Sequence, residues 1–194
     1  TGRRAWRRPL APDEVDALLD VYEAGRTRYP GVAPFTAGVR LVIEALVQAP
    51  AFVYRVERSD RVEGGVIPLD GFEVATRLSY ALWGTTPDDA LLYRAASGAL
   101  TRPEVVREEA LRLLSDPRST DAVARFHGQL LDVGGFEGIR PARDAFPEVP
   151  EDLGRRAAAA QDLFVRALFE EGASWADLLT SNEAFVDAEL ARLC

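Results

Sequence analysis

Apolar positions in this chain recur at three- and four-residue intervals almost from end to end, the period of an amphipathic helix. Val15, Leu18, Leu19 and Tyr22 form one such face. It is opened by Pro12-Asp13-Glu14, whose acids suit the positive end of a helix dipole, and closed by Gly25 and the turn Tyr29-Pro30-Gly31. A second helix is expected over Phe35–Ala49, buried through Val39, Leu41, Val42, Leu46 and Val47 and ended by Pro50. Ala51–Val56 is short, aromatic and β-branched, which suits a strand or one further helical turn. Arg58–Ile67 is charged and contains Gly64-Gly65, the mark of a linker or a hairpin tip.

The helical period resumes over Asp70–Trp83 and stops at Gly84. Thr86 is the expected cap of a fourth helix, with Pro87 in its first position and Gly98 at its end. Thr101-Arg102-Pro103-Glu104 has the Thr-x-x-Glu spacing of a capping box and opens a fifth helix that ends near Ser115. Asp116-Pro117 breaks the chain before a sixth, Thr120–Val133, and a Gly/Pro-rich loop follows from Gly134 to Pro150. Glu151–Glu171 is the longest helix, Ser174 caps a short one, and Asp187–Leu193 begins another. The expected fold is all-α, a bundle of about seven to eight helices, with a short β-hairpin near residues 52–68 as the one alternative to helix. The expected division is a small helical domain over 1–58, a linker or hairpin over 59–69, and a larger helical domain over 70–194, truncated at its C-terminus.

Composition adds limits to this picture. At 194 residues and 47 % hydrophobic the chain can bury a core. A chain of this size removes roughly 70 % of its unfolded surface from water on folding. A net charge of −8 disfavours nonspecific binding to nucleic acid or anionic lipid. All 23 basic residues are arginine, which reads as compositional bias rather than site chemistry. With no methionine, Thr1 is not an encoded start, so a processed or excised piece of a longer protein is expected. No apolar run has the length of a membrane span. The single cysteine, Cys194, rules out an internal disulfide.

Few residues offer chemistry. Glu73 and Arg77 stand four apart on one helix, where an ion pair is expected, although a catalytic carboxylate held by arginine has the same spacing. Asp88-Asp89 falls in a first helical turn, where carboxylates meet unpaired N–H groups; cation binding or acid–base work is the alternative. His127, the only histidine, stands beside Phe126, Leu130 and Leu131, and is a packed or surface residue unless it serves as base or axial ligand. Arg3, Arg4, Arg7 and Arg8 with Trp6 make a basic, aromatic cluster that an acidic chain is expected to use for packing rather than for nucleic acid. Gly64-Gly65 has no Gly-Lys-Ser/Thr after it and is a turn, not a phosphate loop. His127, Glu73, Arg77 and Asp88 are therefore the catalytic candidates, and no metal or cofactor ligand set is expected in the chain.

Several motifs together carry a family resemblance. Arg4-Ala5-Trp6-Arg7-Arg8-Pro9-Leu10 with Glu14, and Leu46–Glu57, resemble the opening and close of one small domain of unknown function. Phe72–Asp89 resembles the core motif of the domain that follows it. Further matches are Gly98-Ala99-Leu100, Leu113–Arg118, Phe126 with Gln129 and Leu131, Phe146-Pro147, and Leu190-Ala191-Arg192. The chain departs from the pattern at Leu130, often tryptophan, at Asp187, usually asparagine, and at Cys194, where tyrosine is common. These adjacent domains are of the planctomycete type, found in large proteins with cytochrome-c-like domains. The resemblance implies export to the periplasm or cell surface. It also implies partners among the other domains of the same polypeptide or other proteins, and haem in those neighbours rather than here. It brings no catalytic residues. The expected function is a helical scaffold or interaction module; the alternative is part of an enzyme or redox module whose pocket the haem-associated neighbours complete.

Overall fold

A computed structural model of the chain describes every residue except Arg58, Asp60, Arg61, Glu63 and Cys194. The protein is all-α: it is 65 % helical, seven helices have seven or more residues, and no strand occurs among the described residues. Of Ala51–Val56, weighed as a strand or one further helical turn, Ala51–Val53 form the helical turn as part of Pro50–Val53, and the chain is extended from Tyr54. Pro50 occupies the helix's first turn, where its missing N–H costs nothing. The hairpin expected near 52–68 is absent from the described residues, where Val66 is an isolated bridge position. Arg58, Asp60, Arg61 and Glu63 lie outside them.

The chain forms two compact units, Thr1–Arg112 and Leu113–Cys194. The first unit holds α1 (Gly2–Trp6), α2 (Pro12–Arg28), α3 (Pro34–Gln48), α4 (Pro50–Val53), α5 (Gly71–Leu82), α6 (Asp89–Ala96), a 3-10 turn at Ala99–Thr101 and most of α7 (Pro103–Leu114). Helices α2 and α3 make an antiparallel hairpin whose backbones nearly touch at Gly25. A Cβ there would lie 2.6 Å from the Ala37 carbonyl oxygen and 2.6 Å from Gly38 Cα. Of the two expected closers of α2, the turn at Tyr29 ends the helix after Arg28, while Gly25 lies inside it and serves close approach. Tyr22 covers Gly38 from the other side. Val15 and Leu19 of the expected core face are exposed, as is Val47 of α3; Leu46 is buried.

Asp70 caps α5 by accepting from the Glu73 N–H at 2.8 Å, and Glu73 reaches back to the Asp70 N–H at 2.8 Å. Gly84, at φ 69°, takes the left-handed turn that ends the helix. The next cap differs from expectation. Asp88, not Thr86, accepts from the Leu91 N–H at 2.8 Å, since α6 starts only at Asp89. The Thr101 capping box does not form either: its hydroxyl donates to the Gly98 carbonyl at 2.8 Å within the 3-10 turn. The core of this unit includes Ala75, Trp83, Leu91, Leu92, Leu100 and Val105.

The second unit contains α8 (Arg118–Leu130), a 3-10 segment at Val133–Gly138, α9 (Leu153–Glu170), α10 (Trp175–Thr180) and a 3-10 turn at Leu190–Arg192. Helix α9 is its centre. It packs on α8, on the 3-10 segment and on α10. Gly154 lets the Phe136 carbonyl approach so closely that any Cβ would overlap it. Arg166 ties α9 to α8 through Asp121 at 2.7 Å. The helix expected to start at Asp187 is only the closing 3-10 turn, with Asp187 accepting from the Leu190 N–H at 2.9 Å. No helix among the described residues is long and apolar enough to cross a membrane.

Candidate functional site

The first unit carries a cleft of about 740 Å³. One wall comes from the segment that joins α1 to α2, with Trp6, Arg7, Arg8 and Glu14. A second comes from α4 and the extended chain after it, including Pro50, Arg55 and Glu57. The third is the first two turns of α5, with Phe72, Glu73 and Arg77. Every lining residue except Asp70 falls in one of the three segments that carry the family resemblance.

Arg7 builds the floor. It takes the left-handed conformation (φ 58°) that ends α1, and its side chain is 5 % exposed. Its Nη2 donates to the carbonyls of Ala51 at 2.6 Å and Tyr54 at 2.8 Å; Nη1 reaches Ala5 and Phe52 at 3.3 and 3.4 Å. A helix as short as α4 leaves all its last carbonyls without intrahelical partners, and one guanidinium satisfies three carbonyls there, where a cation also suits the dipole. The cost of the left-handed backbone is met by these bonds.

The other charges of the cleft pair off in fork geometry. Arg8 binds Glu14 at 2.8 and 2.7 Å, and Glu14 also accepts from the Ala11 N–H at the start of α2. Arg77 binds Glu57 at 2.6 and 2.9 Å. Both carboxylates raise their arginine above its ordinary pKa, chiefly through these hydrogen bonds. The expected Glu73–Arg77 helix pair gives way to this arrangement. Glu73 turns to its own N-terminus, where it accepts from Asp70 N–H and from Ser59 through both N–H (3.0 Å) and hydroxyl (2.6 Å). Arg55 differs from the rest. Its guanidinium lies 5.0 Å from the centre of the Tyr80 ring, and no carboxylate among the described residues pairs with it.

Of the four catalytic candidates, Glu73 and Arg77 share this cleft and Asp88 does not line it. Asp88 caps α6 and takes Arg112 of α7 at 2.8 and 3.2 Å. Its neighbour Asp89 takes Arg3 at 2.7 Å and Arg4 at 2.5 Å, and those arginines, Arg4 foremost, pull its pKa down. The basic N-terminal cluster is thus engaged within the first unit. Glu109, buried at the middle of α7, bridges Arg94 at 3.3 Å and Arg112 at 2.7 Å. His127 belongs to the second unit. Its Nδ1 donates to the Val123 carbonyl one turn back at 2.8 Å, and its ring meets Phe126 edge-on at 5.1 Å and Trp175 at 5.4 Å. No group of three metal-ligating side chains occurs among the described residues.

Arg55 and Glu57 were not singled out as a site by sequence reasoning, and Arg7 entered it only within the basic N-terminal cluster. Their signal was present in a weaker form, as motif residues whose spacing along the chain says nothing of their convergence.

Fold and cleft together define a multi-helix protein with a pre-formed, charge-lined pocket and no recognisable catalytic constellation among its described residues. The family models give the second step. Residues 69–193 match PSD4, a protein family of unknown function (DUF1592), and residues 1–57 match PSD5, likewise of unknown function (DUF1595). The chain belongs to the PSD4 family and carries the PSD5 domain directly before it, the adjacent pair that the motifs had suggested. No curated protein and no solved structure matches it.

Proposed function

We propose that the chain is a helical scaffold or interaction module, without catalytic residues of its own, in a larger exported protein associated with cytochrome-c-like domains. One observation supports this most: the side chains that looked chemical are committed to holding helices. Glu73 and Asp88 accept helix N-terminal N–H groups, Arg77 is forked on Glu57, and His127 is bonded to its own helix. The cytochrome link, and residence in the periplasm or at the cell surface, rest on the family resemblance.

The cleft favours a second reading, in which Glu73 and Arg77 contribute to an enzyme or redox pocket completed by haem-associated neighbours. One experiment separates the two. The chain is mixed with the flanking segments of its own polypeptide, and sedimentation velocity is followed at the Soret wavelength. The scaffold reading expects a complex whose Soret band belongs to the flanking segments and keeps its position on binding. A band that shifts or appears only when this chain is present, and is lost in a folded His127→Phe or Arg77→Gln variant, would overturn it in favour of the second. Absence of any complex would sink both.

A further inference from the structure

We infer that the cleft of the first unit is a binding site for a small, singly charged carboxylate with an apolar body, held through Arg55. This goes beyond the scaffold reading and does not depend on it. The volume of about 740 Å³ lies within the range of small-molecule sites, roughly 300–1,000 Å³. The walls mix apolar faces, Trp6, Pro50, Val56 and Phe72, with charge, which is the composition such sites use to bury a ligand body and fix its orientation.

The charge balance then selects the ligand. The cleft is lined by four arginines and four carboxylates, and all but one are committed. Arg7 is spent on backbone carbonyls, Arg8 on Glu14 and Arg77 on Glu57. Asp70 and Glu73 cap α5. What remains is the Arg55 guanidinium, whose carbon lies 5.0 Å from the centre of the Tyr80 ring and which has no carboxylate partner among the described residues. The contact with the Tyr80 ring uses none of the guanidinium N–H groups, and those N–H groups match a carboxylate in fork geometry, as Arg8 and Arg77 already show in the same walls. Arg7 lies on the same Tyr80 ring at 5.8 Å, so the ring that orients Arg55 is itself held in place. Arg55 is exposed and solvated when the cleft is empty, so a neutral ligand would gain no ion pair from it and a cationic one would oppose it.

The test uses the whole chain, labelled with 15N, and two probes of equal shape: phenylacetate and phenylacetamide. Phenylacetate is expected to saturate one site with a dissociation constant on the order of 1–10 mM, as befits so small a ligand. It should shift the Trp6 indole and Arg55 Nε signals, while phenylacetamide binds at least tenfold more weakly. Arg55→Gln should weaken phenylacetate by about tenfold or more with the helical circular dichroism unchanged, whereas the exposed Arg107→Gln should bind as the parent does. If Arg55→Gln fails to fold, Arg55→Lys, which keeps the charge and loses the fork, takes its place and should bind severalfold more weakly. No saturation, equal affinity for the two probes, an unaffected Arg55 variant, or shifts centred away from Trp6 would each overturn the inference.

Discussion

The sharpest expected effect concerns Arg7. Arg7→Met keeps most of the buried stem and removes the guanidinium, and with it the two short bonds to Ala51 and Tyr54 and the two long ones to Ala5 and Phe52. A hydrogen bond from a charged group contributes about 1.5–3 kcal/mol net. Only the two short bonds count at that rate, and water in the adjacent cleft can solvate part of what they leave behind. The left-handed backbone strain stays, because methionine is no better suited to it than arginine. The expected loss is therefore about 2–4 kcal/mol, or a melting temperature lower by about 5–15 °C for a chain of this size. Urea unfolding followed by far-ultraviolet circular dichroism measures it, with the m-value unchanged if only stability has moved. Arg7→Lys preserves the charge but cannot span several carbonyls, and should recover less than half of the loss. An Arg7→Met midpoint within about 0.5 kcal/mol of the parent, or a lysine variant equal to it, would show that the guanidinium does not hold α1 to α4.

Other variants probe different joints. Gly25→Ala places a methyl against the backbone of α3, so it should destabilise by about 1–3 kcal/mol despite alanine's better helix propensity; a more stable variant would refute the close approach. Glu109→Ala removes a buried carboxylate, 3 % exposed, shared by two half-exposed arginines, and should cost about 1–3 kcal/mol in the urea midpoint, with Glu109→Gln intermediate. Asp152 titrates at about 2 rather than 3.8, held down first by Arg155 and then by Arg156. Its contribution to stability is complete above the unfolded value of 3.8 and disappears as the pH falls from there towards 2. A 13C carboxyl titration should show the low midpoint, and Arg155→Gln should move it upwards; a midpoint near 3.8 in the parent would count against the ion pairs.

Period and punctuation in the sequence were enough for the helices, because apolar spacing, prolines and glycines act locally. Pro12, Pro34, Pro50 and Pro103 each stand at the first residue of a helix, and Gly84 and Gly98 both take the left-handed turn after one. Local signals failed where a partner from elsewhere decided the outcome. Gly25 looked like a stop until α3 was beside it. Glu73 looked like Arg77's mate until Ser59 and Glu57 offered each of them a better one. Thr86 and Asp88 are equally good caps on paper, and the extended chain through Pro87 gave the role to the aspartate. The Asp89 cross-link to Arg3 and Arg4, 86 and 85 residues distant, has no local signature at all. The cleft belongs to that class. Its motif residues were visible, but their meeting in space was not, because α1 and α4 are joined by Arg7 and α5 by the Arg77–Glu57 fork rather than by any pattern along one helix.

The line between the two family segments passes through the middle of that cleft. Residues 1–57 supply Arg7, Arg8, Arg55 and Glu57, and residues 69–193 supply Phe72, Glu73 and Arg77. The fork that closes the gap, Arg77 on Glu57, joins one segment to the other. Cut between them, each would keep only part of the cleft lining, the first leaving Glu57 without Arg77 and the second Arg77 without Glu57. A gene that carried one without the other would encode half of the cleft and one half of the Arg77–Glu57 pair. Swapping the first segment between two such proteins would therefore transplant part of the cleft, and any ligand that fills it would be read by the junction rather than by either domain alone.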